Sequence, residues 1–342
     1  MLTPFPTLRI ATLNCLNLAR PGVQVYAGVA PYSADEYRAK TQWLSALLDR
    51  MQADIVLLQE IFHEQALADV VQGMTLRNNH AAPCFAAPLA DAHNTRPRLG
   101  VLWAKALSLR LDTLTALPPQ CVVHVPEGEA HQAYSRPLLR ATLTHAALPS
   151  LTLFNVHLKS RRPQWTQEVQ GENPDDPFVQ ARAQLRSLLV RAAEASAVRH
   201  EVLQLRASAQ APVVVAGDFN DGPTAVTTQL VADPQWLRHD GAAHAHRLVN
   251  VHDVAGPSVA PSAAPIHTHL GASQPERIDH IFLSQELAAR VTAVQTYNEH
   301  LKESASKSAP QSRPAMHGVD VLPEENRTRS DHAAVCVTLK FN

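Results

Sequence analysis

Short apolar runs separated by turns dominate the chain, and only a few stretches switch to helical period. LRIATLNCL (8–16) and DIVLLQEIF (54–62) are strand-length runs of aliphatic and β-branched residues. LGVLWAK (99–105), LSLRLDTL (107–114) and CVVHV (121–125) follow one another closely enough to read as a meander. RPLLRATLTHA (136–146) and LTLFNVHLKS (151–160) read as a hairpin turning at Pro149. VVVAGDFN (213–220), RIDHIFLS (277–284), VTAVQTY (291–297) and HAAVCVTLKF (332–341) complete the strand set. In EYRAKTQWLSALLDRM (36–51), Trp43, Leu44, Leu47 and Leu48 recur at helical spacing behind Ser33 and Asp35, both capping candidates. Residues 178–206 are rich in Ala, Leu, Arg and Glu and predict one or two long helices. Strands outnumber helices and long helices interrupt them. This order predicts two packed sheets with helices outside, an α+β or layered α/β sandwich. With no internal repeat or linker, residues 1–342 are expected to form one domain. KESASKSAPQSRPAMHGVDVLPEENRTRS (302–330), polar and punctuated by Pro, reads as a surface connection before the last strand.

Composition narrows the function classes. At 342 residues, 45% hydrophobic and 18% charged, the chain is globular rather than disordered. A formal net charge of −1 supplies no global field toward nucleic acid or anionic membrane, so polyanion binding must come from local patches. The four cysteines contain no CxxC pair, which argues against a zinc ribbon and favours a reducing compartment. The start, MLTPFPTLRIATLNCLNL, lacks the basic region and continuous apolar run of a signal peptide. No apolar run approaches the ~18 residues of a membrane-spanning helix. The expectation is a cytoplasmic protein without a membrane anchor.

Candidate chemistry gathers at the strand ends. In VVVAGDFNDGP (213–223), a core strand runs directly into Asp218, Asn220 and Asp221. LRIATLN ends in Asn14, DIVLLQE in Glu60 and LTLFNVH in His157; RID places Asp279 in a strand, and TRSDH sets Asp331 and His332 at the mouth of the last one. One terminal Asp or Asn is ordinarily a cap or turn residue. Several strand ends carrying acids, amides and imidazoles together are hard to explain by turns, because strand ends of a layered fold can converge on one cleft. Carboxylates with an amide suit a hard cation such as Mg²⁺, a further Asp can deprotonate a water, and two imidazoles can donate to phosphoryl oxygens. That inventory describes metal-assisted phosphoryl transfer to water.

TLNCLNL, DIVLLQE, NVHLKS, VVAGDFND, RIDHIFLS and SDHAAV, in this order over residues 10 to 340, resemble the endonuclease/exonuclease/phosphatase superfamily. The resemblance implies a four-layered α/β sandwich, two mainly antiparallel packed sheets flanked by helices, with the site at one end of both sheets. It implies Mg²⁺, or Mn²⁺, bound mainly by Glu60, with Asn14 beside it and Asp331 completing or supporting the set. It further implies that Asp218 activates the attacking water and Asn220 hydrogen-bonds the phosphate or that water. His332, held by Asp279, would contact the scissile phosphate as an imidazolium, and His157 would sit against the phosphate or leaving group. The activity implied is a Mg-dependent phosphodiester hydrolase acting on nucleic acid or another phosphodiester. A phosphomonoesterase or a sphingomyelinase-like lipid phosphodiesterase is the alternative. A non-catalytic binding module on the same fold would be expected to lack some of Glu60, Asp218, Asn220, Asp279 and His332, and all are present.

Substrate-binding candidates lie around these words. Arg136 and Arg140, four residues apart on one strand, face the same side. They precede the His157 strand much as a phosphate-contacting Arg does in nuclease members of the superfamily. Lys159, Arg161 and Arg162 form a local basic patch able to grip a phosphate chain. Leu16 stands where some members carry a second acid, so that edge of the metal site lacks a carboxylate. The helical stretch about 161–206 reads as an insertion. His244, His246, His252, His267 and His269 invite a zinc reading, but their spacing matches no standard site and no Cys joins them. Thr268 and His269 are placed to line the cleft.

Overall fold

The computed structural model describes residues 7–26, 29–75, 84–85, 96–126, 128–165, 173, 175–209, 211–232, 246–254, 266–270, 274–301 and 327–341. In chain order its strands are β1 (Thr7–Leu18), β2 (Ile55–Ile61), β3 (Cys84–Phe85), β4 (Arg98–Trp103), β5 (Ser108–Ala116), β6 (Val123–His124), β7 (Ala130–His131) and β8 (Ala133–His145). They continue with β9 (Leu148–His157), β10 (Val213–Asp218), β11 (Leu248–Asn250), β12 (His269–Leu270), β13 (Pro275–Glu276), β14 (Asp279–Ser284), β15 (Val291–Tyr297) and β16 (Ala334–Lys340). The helices are α1 (Ala34–Met51), α2 (Glu64–Gly73), α3 (Pro177–Ala209), α4 (Val226–Ala232) and the short α5 (Gln285–Ala288).

Two six-stranded sheets carry the fold, ordered β15-β16-β1-β2-β4-β3 and β11-β14-β10-β9-β8-β5. Both are mainly antiparallel, and each has a parallel pair in its interior: β1 with β2, and β9 with β10. Strand alternation sets the layers. On β10, Val214 and Ala216 join a buried cluster with Leu8 and Ile10 of β1, Ile55 and Leu57 of β2, and Leu151 and Leu153 of β9. This cluster fills the space between the sheets. The opposite face, Val213 and Val215, packs with Ala193, Ala197, Val198 and Val202 of α3. On the first sheet, Ala11, Leu13 and Cys15 turn outward onto Leu44, Leu47, Leu48 and Met51 of α1. Helix, sheet, sheet and helix follow as four layers. Central strands apolar on both faces are what such burial requires.

α1 begins at a capping box, in which the Ser33 hydroxyl accepts from Glu36 N and the Glu36 carboxylate accepts from Ser33 N. The helix predicted over 178–206 is the single long α3. Residues 166–172, ahead of it in the expected insertion, and most of the polar connection, 302–326, lie outside the described residues.

Three sequence expectations change. The meander does not form, because β4 pairs with β2 and β3 in one sheet while β5 pairs with β8 in the other. A turn closed by Leu107 N donating to Ala104 O (2.9 Å) carries the chain across. A strand–turn–strand pattern is the same whether the second strand folds back or crosses over. The hairpin of β8 and β9 turns at Ala146–Ala147, where His145 faces Leu148, and Pro149 lies within the start of β9. Proline is tolerated at a strand's beginning, where no ladder donor is needed. CVVHV becomes a 3-10 turn over Pro119–Cys121 and the two-residue β6, paired with β7. α2 and α4, unforeseen from periodicity, cap the outer faces of the two sheets.

Candidate active site

The same face that is apolar between the sheets becomes polar toward the ends of the parallel pairs. On β9, Leu151 and Leu153 are followed at strand period by Asn155 and His157; on β10, Val214 and Ala216 lead to Asp218; on β2, Ile55 and Leu57 lead to Gln59. The first polar layer bridges the sheets. Gln59 Nε2 donates to Asn155 Oδ1 (2.7 Å) and Thr12 Oγ1 (3.1 Å), and Asn155 Nδ2 donates to the carbonyls of Leu58 and Gly100 (3.0 and 2.9 Å). Thr12, Gln59 and Asn155 are fully buried. Sequence reasoning assigned them no role. The signal was available, since each sits on the same strand face two residues before a site position, or one before in the case of Gln59.

Above this layer the candidate residues meet. Asn14 Nδ2 donates to Glu60 Oε1 (3.2 Å) and to Asp218 Oδ2 (3.1 Å), while its own Oδ1 accepts from Leu16 N (2.9 Å). Glu60 Oε2 accepts from Asn17 N (2.9 Å). Alternation alone would turn Glu60 toward α1 with Val56 and Leu58. Its left-handed backbone, φ +61°, breaks that alternation, and Leu16 and Asn17 opposite are left-handed as well, both at φ +51°. Non-glycine residues in this region are strained. Here the strain is concentrated where a carboxylate must be re-aimed.

His157 Nε2 lies 3.3 Å from Asp218 Oδ2 and 3.9 Å from Glu60 Oε1. Burial, then the Arg136 and His332 charges, push its pKa well below the usual imidazole range. Asp279 Oδ2 is 2.8 Å from His332 Nδ1, and His332 Nε2 is 3.9 Å from Asp218 Oδ2. Burial alone would lower His332, but the Asp279 and Asp218 carboxylates outweigh it and hold the ring well above its ordinary value. Burial also pushes Asp218 up to about 7, against the pull of the His332 cation. Both partners rise because Asp279 makes the close contact with His332, leaving Asp218 a weaker attraction that desolvation overcomes. Asn220, at φ +55°, donates through its backbone N to Asp218 Oδ1 (2.8 Å) and through Nδ2 to Leu158 O (3.0 Å) and Asp218 Oδ2 (3.3 Å).

The segment carrying Asp331 and His332 is tied from several sides. Ser330 Oγ donates to Asn14 O (2.6 Å) and accepts from His332 N (3.0 Å). The fully buried Lys40 of α1 donates to the carbonyls of Arg327 and Arg329 (3.3 and 3.2 Å). Thr268 Oγ1 accepts from the backbone N of Ile278 and of Asp279, both at 3.0 Å, and so orients Asp279.

The basic candidates separate. Arg136 stays beside His157, donating to Leu158 O (3.4 Å). Arg140 is held by Asp112 (3.2 Å) and approaches Glu201 (4.0 Å). Arg161 is bound by both oxygens of Glu276. Lys159 Nζ folds back onto the carbonyls of Ser160 and Arg162, both at 3.2 Å, and burial, with Arg136 nearby, pushes its pKa down to about 8. Arg162 is exposed. Of the histidines considered for zinc, His244 lies outside the described residues, and among those described no cluster of metal-ligand type includes His246, His252 or His267. His269 reaches the cleft, bridged through its backbone to His332.

The donor set suits a hard divalent cation. Each Glu60 oxygen accepts one hydrogen bond and keeps a free lone pair, and the buried Asp331 Oδ1 has no hydrogen-bond partner. Carboxylate oxygens with unused lone pairs are donors of the kind that a hard divalent cation accepts.

The sequence profile of the Endonuclease/Exonuclease/phosphatase family matches residues 11–332. No curated protein matches the chain. An endonuclease/exonuclease/phosphatase from Bacteroides vulgatus superposes with a TM-score of 0.55 at 13% identity, covering 98% of this chain and 99% of its own. The human Nocturnin catalytic domain with bound sulfate gives 0.54 at 16%, covering 98% and 95%. The Bacteroides thetaiotaomicron mannosyl-6-phosphatase Bt3783 gives 0.54 at 14%, covering 98% and 100%. At such identities the likeness is one of fold. Nearly the full length of the chain fits the family's sequence pattern, and the chain belongs to the Endonuclease/Exonuclease/phosphatase family.

Proposed function

We propose that this family member hydrolyses phosphodiesters in a divalent-metal-dependent reaction, with nucleic acid as the substrate class. The observation that carries the reading is the meeting of Glu60, Asp218, His157 and the Asp279–His332 pair at the ends of both parallel strand pairs. Glu60 and Asp331 would hold Mg²⁺ or Mn²⁺, which when bound supplies charge neutralisation at the phosphoryl oxygens. Asp218, as the carboxylate, takes the proton of the attacking water. His332, charged and held by Asp279, offers Nε2–H to the scissile phosphate, where negative charge develops. His157, neutral, offers a hydrogen bond from Nε2. Asn14 bridges Glu60 and Asp218 through its amide, which supports a positioning role in place of direct ligation. Asn220 fixes both oxygens of Asp218 and stands beside the water it would activate.

The engaged cations favour a second reading, a phosphomonoester or a lipid headgroup diester. Arg140 and Arg161 are paired with acids and Lys159 is folded back, leaving Arg136 and Arg162 for flanking phosphates. The deciding experiment is turnover of plasmid, single strand, abasic duplex, bis-p-nitrophenyl phosphate, a sugar phosphate, inositol phosphate and sphingomyelin, in Mg²⁺ and in excess EDTA. Nucleic acid should be cleaved only with metal. Arg162→Glu should raise KM for polynucleotide, more so at low salt, and leave the small diester unchanged. Faster turnover of a monoester or sphingomyelin would replace the nuclease reading, and full activity in EDTA would end the metal-dependent one.

A further inference from the structure

Asp331 belongs to a group of mixed imidazole and carboxylate chemistry. His269 Nε2 is 3.8 Å from Asp331 Oδ2, and His332 Nε2 is 3.9 Å from Asp331 Oδ1. The two imidazole rings are 4.9 Å apart at 46°. One ligand atom from each of His269, Asp331 and His332 lies within 4.8 Å of the others. The fold builds this juxtaposition through its backbone: β12 bridges to the His332 position, and Ala333 N donates to Thr268 O (2.7 Å). The buried Asp331 Oδ1 has no hydrogen-bond partner.

We propose that His269, Asp331 and His332 form an inhibitory site for a borderline transition-metal ion, Zn²⁺ foremost. Two imidazoles and a carboxylate are a three-ligand set that zinc accepts with its fourth position open, whereas Mg²⁺ prefers oxygen alone. Small rotations of the side chains close ligand distances of 3.8–3.9 Å around an ion about 2 Å from each. Binding occupies His332 Nε2, the ring atom on the Asp331 side, so that this atom no longer faces the phosphate, and it engages the Asp331 carboxylate as well. Zinc would compete with the working form of the enzyme rather than replace its magnesium.

The inhibition rests on the function proposed above; the binding does not. Metal-free protein titrated with Zn²⁺ calorimetrically should bind one ion per chain. Co²⁺ in the same site should show the intense visible absorption of a four-coordinate complex, displaced by Zn²⁺. His269→Gln keeps side-chain volume at a half-buried position, and it should weaken Zn²⁺ by at least about 10-fold. The same variant should relieve Zn²⁺ inhibition by a similar factor, each protein being compared with its own rate in Mg²⁺ without Zn²⁺. Asp331→Asn should independently weaken Zn²⁺ binding, and circular dichroism checks that both variants fold. Zn²⁺ affinity and the Co²⁺ spectrum unchanged in both variants would overturn the site. If no phosphoester is turned over at all, the Co²⁺ spectrum and its loss in His269→Gln still test it.

Discussion

At single residues, the site sets two imidazoles apart by environment, one lowered and one raised from the ordinary range. His332 is charged because Asp279 sits 2.8 Å from its Nδ1, whereas His157 is neutral because burial and two nearby cations oppose its proton. Asp218→Asn and His332→Ala should each lower kcat by about 10² or more, the scale of a general base or a charge-stabilising donor. Asp279→Asn should cost less, because the imidazole remains, but it removes what raises the His332 pKa. The limb of the pH–rate profile where activity falls with rising pH should therefore move to lower pH in that variant. A profile unchanged in position alongside a dead His332→Ala would sever the proposed pairing. Glu60→Gln should weaken Mg²⁺ binding, read calorimetrically, while thermal unfolding of the metal-free protein stays cooperative.

Among the elements, the parallel pair β9–β10 is the least tolerant of change. Gly217 has φ +148°, and a Cβ there would lie 1.9 Å from the Val156 carbonyl oxygen. Gly217→Ala must push β10 away from β9, and with it Asp218 from His157. The variant should lose more stability than the usual ~0.5–3 kcal/mol of a point substitution, seen as a collapsed denaturant midpoint or absence of folded protein. The capping box of α1 is a milder case. Ser33→Ala should cost about 1 kcal/mol and leave turnover unchanged, since the helix is also held by Leu44, Leu47, Leu48 and Met51. Catalytic loss in Ser33→Ala out of proportion to its stability loss would instead tie α1 directly to the site, through Lys40.

Across the whole molecule, folding stability should carry a strong acid dependence. His280 is fully buried, its Nε2 2.9 Å from Asp221 O and its Nδ1 3.1 Å from Asn250 Nδ2. A ring that donates at Nε2 and accepts at Nδ1 is neutral, and burial pushes its pKa down to about 3; His252 is likewise pushed down to about 4. Unfolding exposes both to water, where an imidazole takes up a proton below about 6.5. Below that pH the unfolded chain binds more protons, so stability falls with falling pH down toward the folded values. Each such histidine steepens the fall by about 1.4 kcal/mol per pH unit. A His280→Gln variant should unfold with a shallower pH dependence between about 4 and 6, measured as denaturant midpoint against pH. An equal slope would mean that another group dominates. None of the described helices is long and apolar enough to cross a membrane.

Much of this architecture was legible in one dimension. Runs such as VVVAG and IVLL, apolar on both faces, require burial on both sides, and hence layers outside each sheet. The polar residues closing those runs marked the cleft because strand period carries Asn14, His157 and Asp218 on from the inter-sheet face. The same period held Gln59 and Asn155, whose polarity in a buried layer makes sense only once β2 and β9 face each other. Pairing was decided in three dimensions. Whether β5 returned to β4 or crossed to β8 depended on which sheet had an unpaired edge, and no local pattern encodes that. Glu60 is aimed by a left-handed backbone that alternation would not predict. The fate of the cations was equally non-local: Arg140 meets Asp112 and Glu201, and Arg161 meets Glu276, across 28, 61 and 115 residues of chain. A basic patch in sequence is a charge count, and only folding sets which charges remain for a substrate. His269 joins Asp331 and His332 for the same reason, brought there by an isolated backbone bridge between His269 and His332, which are distant along the chain.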